Sequence, residues 1–240
     1  MKVALLISGH LRCWKQNFPY IEKTFLDKYN PDVFISTWDN EGWWQWNVPK
    51  GFYAGSPEIN EQEVANAFKP KFMRTEKYDP YDPIFAERST RYKNCMGWPK
   101  NVISMFYKWV DVTNLMRLYQ GIHGVEYDMV IRYRSDLQIL GDLPEEYDLN
   151  NFYIVYNHYD QGGLNDVIYI GNYDQVTKAT EIGLHLDSLY SQTGLFCTHI
   201  LTEQHFKNLK FNVTQLQIPY RLHNTPWGQH QDVNRYITKY

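Results

Sequence analysis

The sequence predicts an α/β fold in which helices cover both faces of a mostly parallel β-sheet. Apolar runs such as 2–9 (KVALLISG) and 32–39 (DVFISTWD) are continuous rather than alternating, which is typical of strands buried on both faces. Segments with helical spacing separate these runs, and that order favours a parallel sheet. With 240 residues, of which 43% are hydrophobic, the chain can bury a large core. We therefore expect one domain over residues 1–240.

The first half of the chain contains two of the clearest strands. Residues 2–9 form an apolar run closed by Gly9, and 32–39 form a second one after a helical segment at 16–29. A short helix with polar outer positions is predicted at 59–68. The intervening residues are predicted to be a long surface loop (40–60), and the stretch rich in Pro, Tyr and charge is predicted to be irregular (70–100).

The second half begins with the longest helical pattern. Apolar residues recur at helical spacing over 102–121, and Gly121 is a typical helix end. The remaining predicted elements are strands at 127–134, 151–157, 166–172 and 212–222 and helices at 173–191 and 202–211. We expect this half to mix parallel and antiparallel strands.

Composition narrows the class of protein. The formal net charge of -3 shows no basic surplus, so no nucleic-acid partner is predicted. Three cysteines, Cys13, Cys95 and Cys197, form no C-x-x-C pair, which favours a reducing compartment. No apolar run approaches the length of a transmembrane segment, so we expect a cytoplasmic protein without one. Aromatic residues make up 17% of the chain, which suits sugar binding but also ordinary cores.

Several common catalytic motifs are missing from the sequence. It has no G-x-G-x-x-G after the first strand, no phosphate-binding G-x-x-x-x-G-K-[ST] and no G-x-S-x-G nucleophile turn. No group of Cys and His residues has the spacing of a zinc site. Ordinary dinucleotide, P-loop and serine-hydrolase functions therefore lose support.

Polar residues follow three predicted strands, and ligands of open α/β sheets bind beyond such strand ends. The stretch 128–136 (DMVIRYRSD) places Arg132, Arg134 and Asp136 on one face of a strand. A carboxylate there can bind Mg²⁺ or Mn²⁺, and arginines can bind phosphate. The alternatives are that Arg132 pairs with Asp128 or Glu126, and that Asp136 only forms a turn. The polar stretches are 8–12 (SGHLR), 37–39 (TWD) and 134–136 (RSD).

The order of these motifs resembles a known family. The segments KVALLISGHLR, DVFISTWD, SMFYKWVDVTNLM, YDMVIRYRSDLQI, NDVIYIGN and TEQHF follow one another along the chain. Together they resemble small glycosyltransferases of the GT-A type, from large DNA viruses and bacterial surface-polysaccharide clusters, including WavE-like lipopolysaccharide proteins. The resemblance implies a Rossmann-like α/β/α sandwich, a nucleotide-diphosphate-sugar donor, a glycan hydroxyl as acceptor, and Mn²⁺ or Mg²⁺. For a viral protein the compartment is the host cytoplasm.

The resemblance also assigns nucleotide-binding residues. It implies that Ser8, Gly9 and Arg12 touch the nucleotide, and that Trp38 and Asp39 meet the base or ribose. A group of three tryptophans is interpreted either as an acceptor platform or as a packed loop (Trp43, Trp44 and Trp46).

The metal site implied by the resemblance is incomplete in this chain. GT-A enzymes carry a D-x-D motif at a strand end, and the matching residues here are 134–136, whose first position is Arg134 rather than an acid. Asp136 is the predicted metal ligand, and Arg132 and Arg134 are predicted to carry diphosphate charge. His223 is the predicted second ligand, and His230 competes for that role.

Glu203 is the predicted catalytic base. The resemblance implies a carboxylate at the start of a helix beside the acceptor, and 201–206 (LTEQHF) supplies one, with Thr202 as a possible cap. A base of this kind implies an inverting transfer. Asp166 is the competing base. Residues 165–166 can also bind the donor sugar or the acceptor, or form an ordinary turn, and Glu203 can be an ordinary helix acid.

Two other functions stay open at this level. The incomplete D-x-D motif favours a non-catalytic nucleotide- or carbohydrate-binding protein on a decayed GT-A scaffold. A sugar-phosphate nucleotidyltransferase fits less well, because its first loop is expected to be richer in glycine and lysine than residues 8–15 (SGHLRCWK).

Overall fold

A computed structural model describes residues 1–42, 57–156 and 162–222. Seven strands form one sheet and two short strands form a second, with strand order β3-β2-β1-β4-β7-β6-β8 in the first and β5-β9 in the second. The strands are β1 (Val3–Ser8), β2 (Asp32–Trp38), β3 (Phe72–Glu76), β4 (Met129–Tyr133), β5 (Leu137–Ile139), β6 (Phe152–Val155), β7 (Ile168–Gly171), β8 (Val213–Leu216) and β9 (Tyr220–Leu222).

The large sheet is mostly parallel. Strand β1 pairs in parallel with β2 and β4, β2 with β3, and β6 with β8. Only β7 runs against its neighbours β4 and β6. The predicted mixing of strand directions in the second half is confirmed.

Helices cover both faces of this sheet. They are α1 (Trp14–Ile21), a π-helical turn (Glu22–Leu26), α2 (Asp27–Tyr29), α3 (Glu61–Phe68), α4 (Asp82–Ser89), α5 (Pro99–His123), α6 (Tyr173–Thr180), a 3-10 turn (Glu181–Leu184), α7 (Leu186–Thr193) and α8 (Thr198–Leu209). Successive residues of β1 point to opposite sides, so Ala4 and Leu6 pack with α4 to α8, while Leu5 and Ile7 pack with α1 and α3. The predicted α/β/α sandwich is confirmed.

Several predicted boundaries are wrong. The stretch 70–100, predicted to be irregular, contains β3 and α4, because β3 is a half-exposed edge strand without an apolar run. The predicted helix 173–191 is interrupted by the 3-10 turn, which contains Gly183. A side chain at Gly183 would meet the Phe106 carbonyl oxygen at 2.8 Å. The predicted strand 212–222 is two strands in different sheets, and β5 was not predicted.

The three cysteines are free thiols, as their number and spacing predicted. Within the described part of the chain, no helix combines the length and apolarity needed to cross a membrane.

Candidate functional site

A cavity of about 910 Å³ opens where β1, β2 and β4 end. These strands are parallel neighbours, so their carboxyl ends meet at one edge of the sheet. The sequence-predicted residues Ser8, Gly9, Arg12, Trp38, Asp39, Arg132, Arg134 and Asp136 all line this cavity. The fold thus brings the predicted nucleotide-binding residues together, while their contacts with a ligand stay predictions.

The opposite wall was not predicted. It is built by α4, by the start of α5 and by the loops around them, within the stretch that the sequence predicted to be irregular. The amino end of the long helix α5 lies here, and Trp98, which precedes it, is 54% exposed. No signal in the sequence marks this wall, because the exposure of Trp98 and its place beside the cavity are visible only in the structure. Polar residues of this wall include Asp79, Asp82, Ser89, Lys100 and Asn101.

Arg132 is buried, and none of the described carboxylates lies within ion-pair distance of it. Its side chain is fully buried against Trp109, with the guanidinium carbon 3.9 Å from the ring centre. One nitrogen, Nη1, donates to the Asp166 carbonyl oxygen, whereas Nε and Nη2 find no hydrogen-bond acceptor among the described residues. Burial lowers the pKa of Arg132 to about 10, which still leaves it charged at neutral pH.

The predicted alternative, a structural ion pair for Arg132, does not form. The Asp128 carboxylate instead accepts a hydrogen bond from the Lys2 amide at 2.6 Å. Within the described residues, no carboxylate lies within the 4.0 Å of an ion pair with Arg132. A buried charge of this kind is costly unless something compensates it. Arg132 borders the cavity, so an anion bound there would compensate its charge.

Asp136 is held by two arginines. Arg134 donates from Nε and Nη2 to its two carboxylate oxygens, both at 2.9 Å, and Arg12 Nε lies 3.6 Å away. Burial would raise the pKa of Asp136, but the charges of Arg134 and Arg12 hold it below its ordinary value of 3.8. The Asp136 side chain is only 2% exposed, so this pair of arginines holds a buried carboxylate.

Asp166 extends this cluster away from the cavity. Its Oδ1 lies 3.6 Å from Arg134 Nη1 and 3.7 Å from His199 Nε2. Burial would raise the pKa of Asp166, but the contacts with His199 and Arg134 hold it well below its usual range. The two carboxylates therefore stay ionised near neutral pH, and Arg134 lies between them.

The described residues around Asp136 do not fit a divalent cation. Both Asp136 oxygens accept from Arg134, and Asp166 faces Arg134 and His199. The arginines outnumber the carboxylates, so the cluster repels a cation and attracts an anion. Over 1–42, 57–156 and 162–222 there is no group of three or more metal-ligating side chains. The predicted ligand His223 lies outside the described residues, so the metal prediction is not tested.

Two residues near the ends of β1 and β2 offer polar contacts of different kinds. His10 Nδ1 donates to the Asn40 carbonyl oxygen at 3.0 Å. Burial, followed by the charge of Arg12, lowers the pKa of His10 to about 4, so the imidazole is neutral at neutral pH. Asp39 accepts from the Tyr78 amide at 3.2 Å. His10 was missed as a site residue, although it lies within the quoted 8–12 segment.

Trp38 lines the cavity, but its ring is too enclosed to stack on a nucleotide base. It is fully buried, stacks on Tyr107 with ring centres 5.7 Å apart, and has Lys108 Nζ 4.1 Å from its ring centre. Lys108 in turn pairs with Glu76 at 2.6 Å. Trp38 therefore has no free ring face for a base.

Glu203 does not stand where the prediction placed it. Helix α8 begins at Thr198, so Glu203 lies in its second turn, and Thr202 is buried within the helix rather than capping it. The Glu203 carboxylate pairs with Lys207 at 2.6 Å, and neither residue lines the cavity. The argument from a helix start is wrong, while the catalytic role of Glu203 is untested. His230 and the tryptophans at 43, 44 and 46 lie outside the described residues.

No protein-family model matches the sequence, and no curated protein matches it. Among solved structures, mouse xyloside xylosyltransferase 1 in its apo form aligns over 90% of this chain and 84% of its own, with 11% identity and a TM-score of 0.44. The glycosyltransferase GlyE of Streptococcus pneumoniae TIGR4 aligns over 90% of this chain, with 14% identity and a TM-score of 0.42. This chain spans only 46% of GlyE. Similarity at this level assigns no activity.

Proposed function

We propose that the protein is a glycosyltransferase that moves a sugar from a nucleoside-diphosphate donor to a hydroxyl of a glycan acceptor. One observation carries the proposal. Three guanidinium groups, of Arg12, Arg132 and Arg134, surround a cavity at the carboxyl ends of parallel strands, and that of Arg132 has no counter-ion among the described residues. Arginines at a strand-end cavity are suited to a diphosphate, whose oxygens accept paired N–H bonds.

The same cluster suits the chemistry of sugar transfer. When the bond between the anomeric carbon and the donor phosphate breaks, negative charge collects on the departing diphosphate. Fixed positive groups stabilise that charge most in a site that excludes water. Arg12 and Arg134, which border the cavity, are proposed to contact the diphosphate, and the buried charge of Arg132 is proposed to act on it from behind the cavity wall. A divalent cation, which the family resemblance implies, is a separate proposal with its own test.

The nucleoside end is proposed to lie against the ends of β1 and β2. The Ser8 and Gly9 backbone allows close approach, because Gly9 has a φ of 96° and nothing lies within 4 Å of where a side chain would be. Asp39 and neutral His10 supply polar contacts for ribose or base. The transfer is proposed to be a single, inverting displacement.

A thermal-shift panel of UDP-, GDP-, dTDP- and CMP-sugars, each with Mn²⁺ and with EDTA, tests the donor. A bound ligand raises the unfolding temperature according to RT ln(1 + [L]/Kd). We expect a diphosphate donor to give the largest shift, and the CMP-sugars, with one phosphate, to give less. A donor that binds but is never transferred to any glycan acceptor would favour the non-catalytic alternative. No shift with any donor would contradict the proposal.

Replacing Arg12 by Ala should weaken binding of the matching nucleoside diphosphate. A lost hydrogen bond to a charged group is worth about 1.5–3 kcal/mol, which is roughly a 10- to 100-fold rise in Kd. Calorimetry on folded protein measures it. Arg91→Ala is the matched control, because Arg91 is an exposed arginine paired with Asp187, away from the cavity. Equal affinity of Arg12→Ala and wild type would remove Arg12 from the site.

A further inference from the structure

The Asp166–His199 pair lies next to the arginines but is not among the residues proposed to bind the donor. His199 lies at the start of α8, and its Nε2 faces the Asp166 carboxylate at 3.7 Å. That separation is too long for a strong hydrogen bond and short enough for an ion pair once the imidazole is protonated. Part of the imidazole reaches solvent, since 19% of the His199 side chain is exposed.

Arg134 links this pair to the donor cavity. It holds Asp136 with Nε and Nη2 and faces Asp166 with Nη1. His199 therefore lies on the far side of Arg134 from Asp136. Neither His199 nor Asp166 lines the described cavity, so a diphosphate at the arginines must direct its sugar past Arg134 for the acceptor to meet His199.

Building on the proposed function, we propose that His199 is the general base of the transfer and that Asp166 is its positioning residue. A carboxylate beside an imidazole orients the ring and stabilises the imidazolium that forms on proton uptake. Asp166 suits this positioning role rather than that of proton acceptor, because a carboxylate held between Arg134 and His199 is a weak base. Histidine is the side chain that most often serves as a general base.

The proposed step balances as one displacement. The acceptor hydroxyl oxygen forms a bond to the anomeric carbon while its proton passes to a ring nitrogen of His199. The bond from the anomeric carbon to the phosphate oxygen breaks, and its electron pair leaves on the nucleoside diphosphate. The arginines take up that charge, and the imidazolium later releases its proton to water. Asp166 keeps its negative charge throughout.

Glu203 is the competing base on the same helix. It lies one turn further along α8, and its carboxylate already pairs with Lys207 at 2.6 Å. Among the described residues, Asp166 faces His199, and Arg134 and Arg132 lie behind Asp166. Arg132 Nη1 donates to the Asp166 carbonyl oxygen. Among the described residues around Asp166, His199 is the imidazole that faces a fixed ionised carboxylate.

Steady-state transfer from the donor identified in the panel, measured across pH, tests the inference. His199→Gln should lower kcat about 10²- to 10⁴-fold and remove the acidic limb of the pH profile, while donor Kd by calorimetry stays within about threefold. Asp166→Asn should also lower kcat and move that limb to lower pH, because a negative charge beside the imidazole is gone. A purely structural role would not move the limb.

His185→Gln is the matched control, since His185 is an exposed histidine outside the site, and it should keep the wild-type profile. If His199→Gln is unstable, added imidazole should restore transfer to His199→Ala. Normal kcat and pH profile in His199→Gln, or loss confined to Glu203→Gln, would overturn the assignment of His199 alone. Absence of transfer by the wild type with donor bound would overturn the proposed function and the base together.

Discussion

Arg132→Met is expected to lose affinity for a nucleoside diphosphate while the unliganded protein stays at least as stable as the wild type. The substitution keeps an apolar chain against Trp109 and removes a charge that has no carboxylate within ion-pair distance among the described residues. Replacing a buried ion pair by well-packed apolar residues is often neutral or stabilising by about 1–4 kcal/mol, and we expect the same direction for a buried charge that lacks an ion-pair partner. The lost hydrogen bond to the Asp166 carbonyl offsets part of this gain, at about 1–3 kcal/mol.

The loss of affinity should be about 10- to 100-fold, because the buried charge of Arg132 no longer acts on the diphosphate. Calorimetry gives Kd, and thermal or urea unfolding without ligand gives stability. Lys108→Met is the contrasting control. Lys108 is equally buried but pairs with Glu76 at 2.6 Å, so its removal should cost about 3–5 kcal/mol of stability. A large stability loss in Arg132→Met with unchanged affinity would show that Arg132 is structural.

The strands that border the cavity were predictable from the sequence, because a strand buried on both faces appears as a continuous apolar run. Strands β1, β2 and β4 are of this kind, and each is followed by polar residues. Edge strand β3 is half-exposed and mixes Arg and Glu with apolar residues, so it carries no such signal. The second wall of the cavity, which begins after β3, was missed for the same reason.

The candidate site was only partly predictable, because spacing along the chain says which residues come near a strand end and not which of them pair. Arg134 and Asp136 are two residues apart, and the sequence placed both at a ligand site. Their mutual pairing depends on a turn after β4 that brings both nitrogens of Arg134 onto the carboxylate. His199 was missed because it meets Asp166 only through the packing of α8 near β7.

The helix that carries Glu203 shows how a boundary error changes a mechanism. A start near Thr202 would leave Glu203 among unpaired amides, where the helix dipole favours a carboxylate. The observed start at Thr198 moves Glu203 into the second turn and puts His199 at the amino end instead. No strong capping residue marks that start, since the preceding Cys197 makes no side-chain cap.

Asp136→Asn should destabilise the protein by about 3–5 kcal/mol, because it leaves Arg134 and Arg12 without their shared buried partner. For a chain of this size that is a fall in unfolding temperature on the order of 10 °C. Calorimetry or urea unfolding near neutral pH measures it. Asp174→Asn is the control, since Asp174 forms an exposed pair with Lys178 and should change stability by less than about 1 kcal/mol.

The gap between wild type and Asp136→Asn should narrow as pH falls. The pKa of Asp136 is held below 3.8 in the folded protein, so its contribution is fully present above that value. It is lost as pH drops through the lower folded pKa, when the carboxyl group becomes neutral. Between about pH 6 and about pH 3, the stability of the wild type should therefore fall toward that of Asp136→Asn. A constant gap over this range would mean that the charge of Asp136 is not what stabilises the fold.

The same variant tests whether the Asp136 carboxylate pairs with the arginines or binds a metal ion. Arg134 donates to both oxygens of the Asp136 carboxylate and Arg12 lies nearby, so their positive charges oppose a cation there. Mn²⁺ without nucleotide should therefore shift wild-type unfolding by less than about 1 °C. The destabilisation of Asp136→Asn should then be the same in Mn²⁺ and in EDTA. A Mn²⁺ shift that is present in the wild type and absent in Asp136→Asn would restore Asp136 as a metal ligand. In that case Arg134 would have to release the carboxylate before the cation binds.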